Sequence, residues 1–157
     1  MQNEVLARVE PSALLRWIGL SVIATLGVLL LWMGVAGAQV DAIWRVVLVA
    51  LGFLSLVLGV RMHAATAVGL VLTRDGLRDG NGVVLADADE IEGIERGAFA
   101  FKPSKGFVLV LKKAKPRAWM PGLWWRWGRR VGVGGVTPGH QTKAMAEAIQ
   151  TLLSDRA

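Results

Sequence analysis

The chain has no cysteine and only two histidines among its 157 residues. Without thiols there is no disulfide scaffold, no thiolate metal site and no cysteine nucleophile. His63 and His140 stand far apart and outside any HxxxH or HxxE spacing, so zinc lacks a ligand set. Charge is also scarce, at 19% of residues, against roughly 25% in an ordinary soluble domain. The scarcity is local. Of 30 charged residues only seven, Glu4, Arg8, Glu10, Arg16, Asp41, Arg45 and Arg61, fall in residues 1–63. That distribution excludes a wholly soluble enzyme, a disordered tail and a multi-domain protein.

What replaces charge in the first part is two long apolar runs. Between Arg16 and Asp41 lie 24 residues without a formal charge, and about 20 apolar residues in a helix cross a hydrocarbon core of roughly 30 Å. Residues 46–60 form a second uncharged run between Arg45 and Arg61. It reaches spanning length when those two arginines extend their guanidinium groups to the interfaces and leave their stems in lipid. The expected spans are 14–36 and 42–62, preceded by an N-terminal segment 1–13 and joined by a connection that makes them antiparallel neighbours. Ala36-Gly37-Ala38 resembles a signal-peptidase site. The run is nevertheless longer than a usual signal core, and its leader holds two acids against two bases, so it is assigned as a retained span.

Basic residues beside the spans set the expected orientation. Arg8 and Arg16 precede the hairpin and Arg61, Arg74 and Arg78 follow it, whereas the connection carries only Asp41, which predicts both ends in the cytoplasm. Trp17 at the inner side, with Trp32 and Trp44 at the outer side, then forms a membrane belt together with Arg45 and Arg61. Ser21 with Thr25, and Ser55 with Gly59, offer small residues for close helix approach.

From residue 64 to 157 the pattern changes to short strands and one helix. Residues 67–74, 77–78, 83–86, 98–101, 106–112 and 131–136 are the expected strands, with turns at Asp75-Gly76 and Asp79-Gly80-Asn81-Gly82. Thr137 precedes Pro138 as an expected cap, and Met145, Ile149, Leu152 and Leu153 give the last helix one apolar face. The fold class is therefore a membrane α-helical hairpin plus an α+β domain, an antiparallel β-roll closed by a C-terminal helix.

Leu72-Thr73-Arg74-Asp75-Gly76-Leu77, Asp89-Glu90-Ile91-Glu92-Gly93-Ile94, the strand 107–111 and the Val133-Gly134 strand leading into a helix resemble small bacterial membrane proteins with two N-terminal spans and a pleckstrin-homology-like (PH-like) domain. The resemblance covers nearly the whole chain and implies a PH-like roll at the cytoplasmic face of the bacterial inner membrane. It departs at Ala88, where that family often has tryptophan, and in its tryptophan-rich stretch before the last strand.

Charge within the domain is segregated. Asp79, Asp87, Asp89, Glu90, Glu92 and Glu95 come without a base between them, and from Arg96 to Ala146 there are eleven bases and no acid. Inside the basic block lies Trp119-Met120-Pro121-Gly122-Leu123-Trp124-Trp125-Arg126-Trp127-Gly128-Arg129-Arg130, expected as a loop. Tryptophan favours the headgroup boundary, and each base near an anionic leaflet contributes about 1 kcal/mol. Trp119, Trp124, Trp125 and Trp127 are therefore expected at the membrane interface, with Arg126, Arg129 and Arg130 on phosphates. Two other readings stand beside this one: tryptophans filling the core, and a docking surface for a larger membrane complex. Nucleic acid is not expected as a partner, since no nucleic-acid motif is present. No cofactor, metal or catalytic constellation is expected, and the function indicated is non-enzymatic: an accessory or scaffolding subunit, with a lipid-headgroup sensor as the alternative.

Overall fold

The computed structural model describes residues 4–95 and 106–156. Strand β1 (Val5–Val9) leads into helices α1 (Ala13–Ala36) and α2 (Ala42–Ala65). Six strands follow, β2 (Leu70–Thr73), β3 (Gly76–Asp79), β4 (Val84–Asp87), β5 (Ile91–Glu95), β6 (Phe107–Met120) and β7 (Trp124–Val133), and helix α3 (Gly139–Ser154) ends the order. The strand expected at 98–101 lies outside the described residues.

Each of the first two helices has 24 residues, about 36 Å of helix, and both are long and apolar enough to cross a membrane. Their large side chains point outward: Ile18, Val22, Trp32, Ile43, Phe53 and Val60 are all exposed. Contact between the two helices is made by glycine. A Cβ at Gly27 would stand 2.8 Å from Leu56 Cδ2, and one at Gly52 would stand 2.9 Å from the Gly27 carbonyl oxygen. Ser55 donates from Oγ to the Ile23 carbonyl at 3.0 Å. Of the small residues expected at this contact, Ser55 and Gly59 are half-buried there, whereas Ser21 and Thr25 face outward. α2 runs three residues past its expected end at Met62, because a helix does not stop where its apolar stretch does.

The largest difference from expectation is at the N-terminus. Segment 1–13 does not stand apart, since β1 pairs antiparallel with β2, from Val5 opposite Thr73 to Val9 opposite Leu70. The helical hairpin is thus inserted between two paired strands, and the unit expected at 64–157 is discontinuous in sequence. Its strands form two antiparallel sheets, β1-β2-β3-β4 and β5-β6-β7. Val9, Leu70, Leu72, Leu77, Leu85, Ile91, Leu109, Leu111, Leu123, Val131, Met145 and Ile149 fill the space between the sheets and α3. The sheets do not close into a barrel. At the start of α3 the cap is Pro138 rather than Thr137, whose buried hydroxyl meets no partner among the described residues.

The second difference is the tryptophan-rich stretch, which is a hairpin and not a loop. β6 and β7 pair from Phe107 opposite Val133 to Met120 opposite Trp124. A straight ten-residue strand would place its ends about 30 Å apart, yet Gly134 N–H donates to the Leu123 carbonyl at 3.0 Å and Val136 N–H to the Gly122 carbonyl at 3.0 Å. β7 therefore folds back on itself. The corner is at Gly128, whose φ of 59° is open to glycine at little cost, opposite Lys115, where the register shifts.

Candidate functional site

Pleat alternation sorts the side chains of the folded-back arm. Trp119 is directly opposite Trp125, and Ala118 is opposite Arg126. Arg117, Trp119, Trp125 and Trp127 thus share one face, and Ala118, Met120, Trp124 and Arg126 the other. The second face turns inward. Trp124 is 3% exposed within the core, and its Nε1–H has no partner there among the described residues.

The first face is open. Trp119 is 62% and Trp127 64% exposed, far from the usual burial of an indole. The Arg117 guanidinium lies 3.7 Å from the centroid of the Trp127 ring, close enough for a cation–π contact. Trp125 is half-buried, its ring lying over Gly132 where any side chain would overlap it. Together Arg117, Ala118, Trp119, Trp125, Arg126 and Trp127 line an open basin of about 570 Å³. The turn at the tip of this arm reaches the helices. A Cβ at Gly122 would be 3.1 Å from Met62 Cε and 3.2 Å from Thr66 Cγ2.

The three arginines expected on phosphates are engaged within the protein. Arg126 donates from Nε to the Pro116 carbonyl at 2.9 Å and from one terminal nitrogen to the carbonyls of Val84 and Leu85 at 3.0 and 3.2 Å. It thereby ties the folded-back arm to edge strand β4. Arg129 donates to the Leu111 carbonyl at 2.7 Å and pairs with Glu92, and Arg130 pairs with Glu95 at 3.0 Å. Lys112 donates to the Asp89 carbonyl at 2.8 Å. Lys115 sits between Asp87, at 2.9 Å, and Glu90. The hydrogen bond from Lys115 holds the Asp87 carboxyl below its usual value, outweighing the opposing effect of burial. Burial pulls Lys115 down, but hydrogen bonds to Glu90 and Asp87 outweigh it and raise the ammonium above its usual value. Among the described residues, four acids of the acidic block thus meet three bases of the basic block in space, although the blocks are separate in sequence. Asp79 has a further task, its carboxylate accepting from Asn81 N–H and Val83 N–H at 2.9 Å each to fix the β3–β4 turn.

The belt residues are at the helix ends. Trp17 is the fifth residue of α1, its ring centroid 6.0 Å from that of His63. Trp32 and Trp44 are exposed toward the opposite end, where Arg45 donates to the Gly37 carbonyl at 2.8 Å. Arg61 is exposed and makes no ion pair among the described residues.

No known protein family, curated protein or solved structure matches this chain. The site therefore rests on its own chemistry. Among the described residues no three acidic or histidine side chains gather as a metal set. What the arrangement offers is an aromatic face with one cation on it, on an arm whose turn meets the end of α2.

Proposed function

We propose that this is a non-catalytic, two-span protein of the bacterial inner membrane, with both termini in the cytoplasm. Its PH-like domain contacts the lipid headgroup layer through Arg117, Trp119, Trp125 and Trp127. One observation carries the reading: two largely exposed indoles project from the arm whose turn touches the end of α2. Burying an indole body while its N–H stays wet suits the headgroup boundary. Pairing of β1 with β2 supports a common side for the N-terminal strand and the domain, since a ladder cannot form across a bilayer. The four-plus-three set of antiparallel strands followed by one helix supports the PH-like assignment. The test is fluorescence of the full chain in anionic proteoliposomes carrying headgroup-region quenchers, with Trp17→Phe, Trp32→Phe and Trp44→Phe to silence the spans. Trp119→Phe with Trp127→Phe should remove most of the quenchable signal. Unchanged quenching refutes the lipid contact.

A second reading, an accessory subunit of a larger membrane complex, is favoured by the concavity of the same basin, since arginine and tryptophan are common anchors at protein interfaces. It predicts a stoichiometric partner in native membrane extracts that is lost in the same double variant. Extraction of the chain alone refutes it.

A further inference from the structure

A second cationic site lies at the inner ends of the two long helices, away from the aromatic basin. Arg16 in α1 directs one terminal guanidinium nitrogen to both ring nitrogens of His63 in α2, at 3.1 Å to Nδ1 and 3.3 Å to Nε2. A neutral imidazole has one acceptor nitrogen and one N–H, so one of these contacts sets donor against donor. The Nε–H of Arg16 is buried with no acceptor among the described residues, and no carboxylate pairs with this arginine. The acids flanking the helices are committed elsewhere: Glu4 pairs with Arg74 at 2.8 Å and Glu10 with Arg8 at 3.1 Å. Asp41 is at the opposite end of the hairpin. An arginine with so many free donors beside a histidine N–H lacks an anion.

Depth identifies that anion. A 24-residue helix exceeds a hydrocarbon core of roughly 30 Å by about 3 Å at each end. Arg16, three residues after Ala13, then has its Cα near the hydrocarbon boundary and its guanidinium at the level of the lipid phosphates. Exposed Trp17 beside it suits the same level. We propose that Arg16 and His63 together bind the phosphodiester of a lipid in the leaflet facing the domain, Arg16 through its guanidinium and His63 through its ring N–H. The site fixes one headgroup at the joint between helices and domain.

This proposal rests on the two helices spanning a membrane, and alkaline carbonate extraction separates the two ideas. Release of the full chain by carbonate overturns the spanning reading and the site with it. With the chain retained in membranes, the site is tested by native mass spectrometry of the detergent-purified full chain supplied with phosphatidylglycerol, diacylglycerol or inorganic phosphate. Wild type should retain one phosphatidylglycerol and no diacylglycerol. Arg16→Gln should lower that retention about tenfold, the worth of one charge-assisted contact, and Arg156→Gln, which removes an exposed arginine just past the end of α3 beside the β2–β3 turn, should leave it unchanged. Retention unaltered in Arg16→Gln, or lowered equally by Arg156→Gln, overturns the site. Millimolar inorganic phosphate that binds in place of the lipid overturns the assignment to a lipid. Where Arg16→Gln fails to accumulate, His63→Phe keeps a ring without nitrogens and should lower retention severalfold; no loss there has the same overturning force.

Discussion

Arg126 gives the sharpest test of how the folded-back hairpin is held, because sequence and structure assign it different work. In the fold it supplies three donor contacts, one to Pro116 in β6 and two, to Val84 and Leu85, across a gap where β4 and β7 make no ladder. Arg126→Leu keeps much of the apolar stem and removes every donor. A hydrogen bond from a charged group contributes about 1.5–3 kcal/mol net, and partial access of water to this half-buried side chain reduces that to roughly 1 kcal/mol per contact. The expected loss is about 2–3 kcal/mol. For a domain of this size that lowers Tm by on the order of 10 °C, read by near-ultraviolet circular dichroism of the detergent-solubilised full chain. Arg126→Lys, a single ammonium in place of a fork, should recover less than half of the difference. A Tm within about 2 °C of wild type, together with weakened binding to anionic vesicles, would refute the latch and return Arg126 to the membrane-facing role expected from sequence.

The Asp87–Lys115 pair predicts an acid limb. Because the folded pKa of Asp87 is depressed below 3.8, its contribution is complete above the unfolded value and is lost as pH falls through the folded one. Asp87→Asn should therefore lower the urea midpoint at pH ~6 and flatten its decline below pH ~4. Gly132→Val places a side chain where the Trp125 ring lies. It should cost about 1–3 kcal/mol and shift tryptophan emission to the red as the indole is displaced, while unchanged emission would mean that the two arms of β7 are not in contact. Gly52→Leu drives a side chain into Leu31 and the Gly27 carbonyl, and should abolish cross-linking between cysteines introduced at positions 23 and 59, where a Cβ on Gly59 would meet Ile23 at 3.4 Å. Persisting cross-links would refute the close crossing of α1 and α2.

The parts of the fold legible in the sequence are those whose signal is local. The absence of charge from residues 17–40 marks α1 whatever it packs against, and Arg74-Asp75-Gly76 marks the β2–β3 turn. β1 was hidden because its partner β2 is more than sixty residues further on, and five residues of mixed polarity specify no strand until that edge is present. The hairpin was hidden by Pro116, Gly122 and Gly128, which interrupt the pattern. Pro116 is tolerated because β6 is paired with β5 only as far as Leu111 and its last bond on that side is Lys112 N–H to the Glu90 carbonyl, so beyond Lys112 one edge of β6 needs no donor. The alternation Arg117, Trp119 and then Trp125, Trp127 was nonetheless a readable strand signal. Charge segregation was legible and its consequence was not, because only the fold lays Glu92 and Glu95 beside Arg129 and Arg130. A block of one sign in sequence is no measure of the field at the surface.

The way the helices are joined to the sheets bears directly on what the aromatic face can do. A domain hung from a membrane by a flexible linker samples many orientations, and docking one face must then overcome that freedom. Here the connections are short, residues 10–12 between β1 and α1 and residues 66–69 between α2 and β2. Three further ties reinforce them: the β1–β2 ladder, the bond from Ser12 N–H to the Val136 carbonyl at 2.7 Å, and the contact of Gly122 with Met62 and Thr66. Two of these ties meet where residues 134–136 fold against the hairpin turn, so the arm bearing Trp119 and Trp127 is fixed relative to the helix axes. Any surface those helices stand in then sits at a set distance from the indoles. For the proposed headgroup contact the orientation cost is then met during folding, so that an interaction worth a few indole contacts would suffice to hold the face in place.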